Sequence, residues 1–294
     1  MAERPDMKKI AFIGFGEAAT AFVSGWPVRD AGIAAYDIKT EEAATRDAMR
    51  ARYDAHGVEG ADDRGRALAG ATVVFSTVTA DQALVAAERA APHLVPGGLW
   101  LDCNSCAPQT KARAAEVIEQ AGGRYVDIAV MAPVHPLGCR VPLLVSGPDA
   151  AAAVDHLEAL GMCPRLVGDK IGQASAIKML RSVMIKGLEA LTAECFLAAR
   201  RAGVEGEVLA SLEASDPDIA WRRRGTYNLD RMMVHGARRA AEMAEVARTV
   251  AGLGLPASMS DAAAFWQKHV ADIGAEPQED DDLWHRADRV LSGM

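Results

Sequence analysis

The sequence is poor in positive charge, in cysteine and in long apolar runs. Lys and Arg number 32 against 40 Asp and Glu, a formal net charge of −8. That balance argues against nucleic acid or an anionic membrane as partner, because both reward clustered cations. Arg222, Arg223 and Arg224 run against the trend. They read as the solvated end of a helix, with a pocket for an anion as the other reading. No segment approaches the ~18 uninterrupted apolar residues of a membrane span, and the opening MAERPDMKKIAFIGFG has no apolar h-region of signal-peptide length. A cytoplasmic protein is the expectation. The five cysteines, Cys103, Cys106, Cys139, Cys163 and Cys195, are odd in number, so a structural disulfide framework is not expected in a reducing compartment. Neither an internal repeat nor a low-complexity linker interrupts the chain.

What is present is an ordinary globular composition, 50% hydrophobic and 24% charged over 294 residues. That length suits one large domain and a smaller one. Up to about residue 168, β-branched runs (KIAFIGFG, GIAAYD, ATVVFSTV, GGLWLDCN, RYVDIAVM, PLLVSG) alternate with Ala-rich helical stretches. Such alternation predicts βαβ units, and therefore an α/β fold with a Rossmann-type doubly wound parallel sheet over residues 1–168. Residues 169–294 read as all helical, entered through one long Pro-free helix, IGQASAIKMLRSVMIKGLEALTAECFLAARRAG. Its spacing predicts an apolar spine of Ile177, Leu180, Met184, Leu188, Leu191 and Cys195. The acidic run Glu279–Asp282 reads as the solvated start of the last helix, where negative charge is favoured.

Gly14, Gly16 and Ala19 in FIGFGEAATAF match G-x-G-x-x-(G/A) between a predicted strand and a predicted helix. Gly14 permits the tight turn, Gly16 lets the backbone approach a pyrophosphate, and Ala19 lets the helix pack closely on the sheet. Gly14, Phe15, Gly16, Glu17 and Ala18 then form the loop and helix start that face the phosphates. Asp37 ends the next predicted strand, about 20 residues on, where a carboxylate hydrogen-bonds the adenosine ribose. A carboxylate there repels a 2′-phosphate, so NAD is expected over NADP, with Lys39 moderating the preference.

With these residues in place the sequence resembles the β-hydroxyacid dehydrogenase superfamily, which includes 3-hydroxyisobutyrate and 6-phosphogluconate dehydrogenases. Four blocks carry the resemblance in order: the Gly14–Ala19 loop; DCNSCAP (102–108), similar to D-x-S-T-x-x-P; DIAVMAP (127–133), similar to D-A-P-V-S-G-G; and GQASAIKMLRS (172–182), similar to G-x-G-x-x-x-K-x-x-x-N. The C-terminal region looks like a variant found in some 6-phosphogluconate-dehydrogenase-like proteins. The resemblance implies that Lys178 is the catalytic lysine, that Asn104, Ser105, Met131 and Ser182 meet substrate, and that Thr77, Val78 and Thr79 border the cofactor. A lysine suits the chemistry, since oxidising an alcohol by hydride transfer leaves a proton for a positioned base, and burial lowers a lysine's pKa toward neutrality. Two departures stand out. Ser182 replaces the usual Asn, and Met131-Ala132-Pro133 replaces S-G-G, which points to a substrate other than 3-hydroxyisobutyrate or glycerate.

The resemblance therefore implies an NAD(P)-dependent oxidoreductase acting on the CH–OH group of a β-hydroxy acid-type substrate, forming a homodimer. Two other readings keep the scaffold: an imine reductase, against which Lys178 counts, and an NAD-binding protein without turnover. His135, Arg140, His235, Arg238 and Arg239 stand either near the substrate or in ordinary packing. Cys103 and Cys106 form C-x-x-C, and with His135 and Cys139 they could be assembled into a zinc set. A closed metal site would fill the substrate's space, however, and Pro108 starts the helix beyond both cysteines, which disfavours a redox pair. No metal is expected.

Overall fold

The computed structural model describes residues 9–27 and 32–294. Cα packing divides the chain into two compact units, Met1–Lys178 and Met179–Met294.

The first unit runs β1 (Ile10–Ile13), α1 (Glu17–Gly25), β2 (Ile33–Tyr36), α2 (Ala43–Ala55), β3 (Glu59–Gly60), α3 (Arg64–Leu68), β4 (Val73–Ser76), α4 (Ala83–Ala90), β5 (Leu99–Asp102), α5 (Pro108–Gln120), β6 (Arg124–Val130), β7 (Pro142–Ser146), α6 (Ala150–Ala159) and β8 (Cys163–Gly168). It ends in the first turns of α7 (Gln173–Ala202). The eight strands form one sheet in the order β3-β2-β1-β4-β5-β6-β7-β8. Side chains alternate between its faces along each strand. One row across the sheet is Phe12, Phe75, Leu101 and Val126, and its neighbour is Ala11, Val74, Trp100 and Tyr125. Both rows are buried, each in its own core cluster, as a doubly wound sheet requires.

The predicted sheet was parallel throughout, and the structure differs at one end. β7 pairs antiparallel to β6, and β8 runs parallel to β7. Between β6 and β7 the chain has only the loop 131–141 with a single 3₁₀ turn, Gly138–Arg140. Parallel return needs a longer crossover, usually a helix, so the chain reverses. Two strands lack the expected run of apolar residues. β3 has just two residues, both exposed, and β8 is a half-exposed edge strand carrying Pro164, which is tolerated at an edge.

The second unit contains the rest of α7 with α8 (Glu205–Ser215), α9 (Trp221–Gly252), α10 (Ser258–Asp272) and α11 (Leu283–Leu291). Phe196, Leu197, Leu209, Leu229, Met232, Val270, Leu283 and Val290 form its main core. α9 and α10 pack closely where Gly236 lies under α10, since a Cβ there would fall 2.4 Å from the Gln267 carbonyl oxygen. The acidic run does cap the last helix: the Asp282 carboxylate accepts from the Trp284 and His285 amides, both at 3.0 Å.

The expected spine of α7 is corrected. Ile177, Leu180, Met184 and Leu191 are 41%, 43%, 62% and 57% exposed. The buried face instead carries Met179, Ser182, Lys186, Glu189, Ala193 and Phe196. Its charges are paired, Lys186 with Glu242 at 2.8 Å and Glu189 with Arg239, so burial is not confined to the apolar stripe. No helix among the described residues is long and apolar enough to cross a membrane.

Candidate active site

Ile13, Ser76 and Asp102 are in register at the ends of β1, β4 and β5, and Ile13 pairs with Tyr36 at the end of β2. The loops that follow these strands therefore emerge along one edge of the sheet, where ligands bind in open α/β folds. These loops carry Gly14–Gly16, Asp37, Thr77–Thr79 and Cys103–Cys106.

Gly14 has φ +85°, and a Cβ there would lie 2.7 Å from the Thr77 carbonyl oxygen. Its amide donates to the Tyr36 carbonyl at 2.8 Å, and its carbonyl accepts from the Thr77 hydroxyl at 2.7 Å. Three strand-end loops are thereby tied together. The Gly14→Ala variant meets both the φ penalty and that backbone, so we expect NADH affinity, measured by fluorescence titration, to fall at least ~10-fold. An unchanged affinity removes the loop from cofactor binding. Gly16 is different: nothing lies within 4 Å of its Cβ position. The space is open beside the first turn of α1, which has no side-chain cap, and uncapped helical N–H groups attract phosphate. Phe15 contributes its backbone, its ring being fully buried. The Asp37 carboxylate accepts from the Phe15 amide at 2.8 Å through one oxygen and from the Lys39 amide at 3.0 Å through the other. It braces the glycine loop as well as placing negative charge at the end of β2. An open glycine cradle, an uncapped helix start and a fixed carboxylate fit a dinucleotide.

Asn104 is buried, and its side chain serves the protein itself. Its amide oxygen accepts from the Val78 amide at 2.7 Å, and its NH₂ group donates to Ser76 Oγ at 2.9 Å and Asp102 Oδ1 at 2.7 Å. It joins the loops after β4 and β5. Ser105, next to it, is half-exposed, and its Oγ accepts a hydrogen bond from Lys178 Nζ at 2.5 Å. Lys178 is half-buried. A hydroxyl and an amine from segments 73 residues apart thus meet above the sheet edge. Met131, just past β6, packs on a small cluster of Ala129, Leu144 and Ala174, the last in the first turn of α7.

Two of the remaining candidates share a cleft of the first unit. His135 and Arg140 line a cleft of about 610 Å³ beside α1, with Thr20, Ser24 and His56. In the second unit Ser182 Oγ accepts from Lys186 Nζ at 3.3 Å, and exposed Arg238 pairs with Glu242 at 3.5 Å. Arg239 is buried against Glu189. His235, one turn earlier on α9, is half-buried.

The cysteines point apart. Cys103 Sγ faces the Leu101 carbonyl, Cys106 Sγ the Ala80 carbonyl and Cys139 Sγ the Gly25 carbonyl. Burial pushes the Cys103 thiol up to about 12, so it stays protonated and a poor nucleophile or metal ligand at neutral pH. Among the described residues no group of three His, Cys, Asp or Glu side chains is arranged to hold a metal ion.

Sequence reasoning passed over Lys111, which is fully buried behind this edge. A signal was present, because Lys111 shares a helical face with Ala114, Ala115 and Ile118, all buried.

Comparison with known proteins agrees with this architecture. The family described as the NAD binding domain of 6-phosphogluconate dehydrogenase matches residues 9–157, and a domain of unknown function, DUF1932, matches residues 199–270. A conserved hypothetical protein from Sinorhizobium meliloti 1021 is similar at 40% identity and a TM-score of 0.78, covering 99% of this chain and 98% of that one. Conserved protein MTH1747, of unknown function and described as structurally similar to 3-hydroxyacid dehydrogenases, is 30% identical with a TM-score of 0.70, over 97% of this chain and 99% of its own. The 3-hydroxyisobutyrate dehydrogenase of Mycobacterium tuberculosis, solved with L-serine, shares the fold, with a TM-score of 0.70 at 17% identity over 97% of this chain and 99% of that one.

Proposed function

The chain belongs to the family of the NAD binding domain of 6-phosphogluconate dehydrogenase, and from that premise we propose that it is an NAD-dependent oxidoreductase acting on the CH–OH group of a β-hydroxy acid-type substrate. The observation that carries the reading is the Lys178 amine held at 2.5 Å from the Ser105 hydroxyl, at the sheet edge that also carries the glycine loop.

In this reading Gly14, Gly16 and the first amides of α1 hold the pyrophosphate, and Asp37 holds the ribose. When bound, the nicotinamide supplies the hydride acceptor. Lys178 Nζ, in its neutral form, takes the proton from the substrate hydroxyl as the hydride leaves, and returns it in the reverse direction. Ser105 Oγ orients that amine and offers the substrate oxygen a second hydrogen bond. Pro133 removes a backbone N–H donor and Met131 adds bulk where the family has S-G-G, which weakens the grip on a small carboxylate and favours a substrate other than 3-hydroxyisobutyrate or glycerate. Asp37 favours NAD over NADP by charge repulsion, so NADH should bind more tightly than NADPH in parallel titrations. The dinucleotide domain, expected over residues 1–168, corresponds to the first unit, which closes ten residues later at Lys178, and the helical remainder, expected over 169–294, is the substrate and dimer domain. The exposed apolar side chains of α7 suit a homodimer in the cytoplasm, which gel filtration at micromolar concentration checks; a monomer alone counts against it.

The test is NADH production from a panel of β-hydroxy acids of increasing size with the purified protein. Turnover of at least one, with the reverse reduction of its oxo form, is expected. Tight NADH binding with no turnover across the panel favours the non-catalytic alternative.

A further inference from the structure

Asp102 and Asp127 stand side by side on β5 and β6, paired in register, and both are buried. Two buried carboxylates so placed call for a counter-charge between them. The chain supplies one from α5. Lys111 Nζ donates to the Asp102 carbonyl at 2.7 Å and to Asp102 Oδ1 at 2.8 Å, and lies 3.4 Å from Asp127 Oδ1. Burial opposes its charge, but Asp102 and Asp127 outweigh that cost and hold the ammonium well above lysine's ordinary value.

Each carboxylate then holds one half of the Lys178–Ser105 contact. Asp102 Oδ1 accepts from the Asn104 amide at 2.9 Å and from its side chain at 2.7 Å, while Oδ2 accepts from the Tyr125 hydroxyl at 2.6 Å. These bonds fix the turn that presents Ser105. Asp127 reaches the other way. Its Oδ2 accepts from the Ser175 amide at 2.9 Å and from Ser146 Oγ at 3.2 Å, and its Oδ1 accepts from Ser175 Oγ at 2.6 Å. Ser146 Oγ in turn accepts from the Ala174 amide at 2.9 Å. At the start of α7 the Ser175 amide is therefore held by a carboxylate of the sheet and the Ala174 amide by Ser146, where the helix dipole favours negative charge. Lys178 lies one turn further along that helix.

We propose that Lys111 is a positioning residue: by holding Asp102 and Asp127 together it sets the distance between the Ser105 hydroxyl and the Lys178 amine. The proposal rests on the reading of Lys178 as the acid–base group. A cluster that served stability alone would leave the reactivity of Lys178 in folded variants unchanged.

Two variants test it. Ser175→Ala removes one hydrogen bond from a neutral hydroxyl to Asp127 at the start of α7, and Lys111→Met removes the shared cation at similar length. We expect kcat on the best hydroxy acid to fall roughly 3- to 10-fold in Ser175→Ala and roughly 10- to 100-fold in Lys111→Met. KM and NADH affinity should both stay within about twofold, because neither variant touches the glycine loop. A readout independent of turnover is acetylation by acetic anhydride, read by mass spectrometry with exposed Lys170 as internal standard. Loosening Lys178 from Ser105 should raise its labelling at least ~3-fold in Ser175→Ala, where no charge has changed. If Lys111→Met does not fold, Ser175→Ala decides. A folded Ser175→Ala with Lys178 labelling and kcat equal to wild type overturns the proposal. If the wild type turns over no hydroxy acid, the functional reading fails, and the labelling ratio still decides the positioning.

Discussion

Lys178→Ala is expected to lower kcat on the best hydroxy acid by about 10²- to 10⁴-fold, the usual contribution of a positioned acid–base group. NADH affinity should stay within about twofold, since the glycine loop and Asp37 keep their mutual hydrogen bonds and binding lost without kcat would mark a different role. Lys178→Arg sharpens the test. It carries a permanent positive charge and can still donate to Ser105, but a guanidinium does not give up its proton in a protein. If the lysine acts by proton transfer, Arg fails as badly as Ala. If it acts as a fixed charge that orients a carboxylate, Arg retains much of the activity. Equal turnover in Lys178→Ala and wild type removes the residue from the chemistry, leaving a nucleotide-binding fold.

The parts of this site that the sequence makes legible are those where backbone geometry dictates residue type. Gly14 is readable because a positive φ and a carbonyl 2.7 Å from its Cβ position leave no alternative. The strand rows through Phe12 and Ala11 are readable because both faces of the sheet are buried, so each strand is a continuous apolar run. Lys178 is readable only through the four ordered blocks, since a lysine beside an apolar stripe otherwise reads as a solvated side chain. Where burial is achieved by pairing charges, hydrophobic pattern gives the wrong answer. Lys111, Asp102 and Asp127 are polar letters in an apolar core, and only three-dimensional proximity makes them tolerable there. The same cause misplaced the buried face of α7, where Lys186 and Glu189 are inside while Met184 and Leu191 are out. The reversal of β7 was hidden for another reason: the missing crossover helix leaves no pattern, only a Pro- and Gly-containing loop.

The second large effect concerns stability rather than chemistry. Glu189 on α7 is 1% exposed, and its carboxylate is held by Arg239 of α9, whose Nε donates at 2.9 Å and whose second nitrogen also donates. Gln267 of α10 adds a third donor at 2.7 Å. Three helices of the second unit therefore meet at one buried anion. Arg239→Ala leaves that anion with a single neutral donor and opens a cavity, a class of change that costs about 3–5 kcal/mol. The expected shift in Tm is roughly 5–20 °C by calorimetry, the upper end applying if the helical unit melts by itself. Charge, not volume, should dominate, and a double variant separates the two. Arg239→Met with Glu189→Gln removes both ions and keeps most of the bulk, so it should recover at least about half of the loss, because the large penalty belongs to the unpaired charge. If the double variant is as unstable as Arg239→Ala, packing rather than the ion pair holds these helices together. If Arg239→Ala itself leaves Tm unchanged, the arginine is not committed to Glu189, and a role near the substrate becomes the better explanation for it.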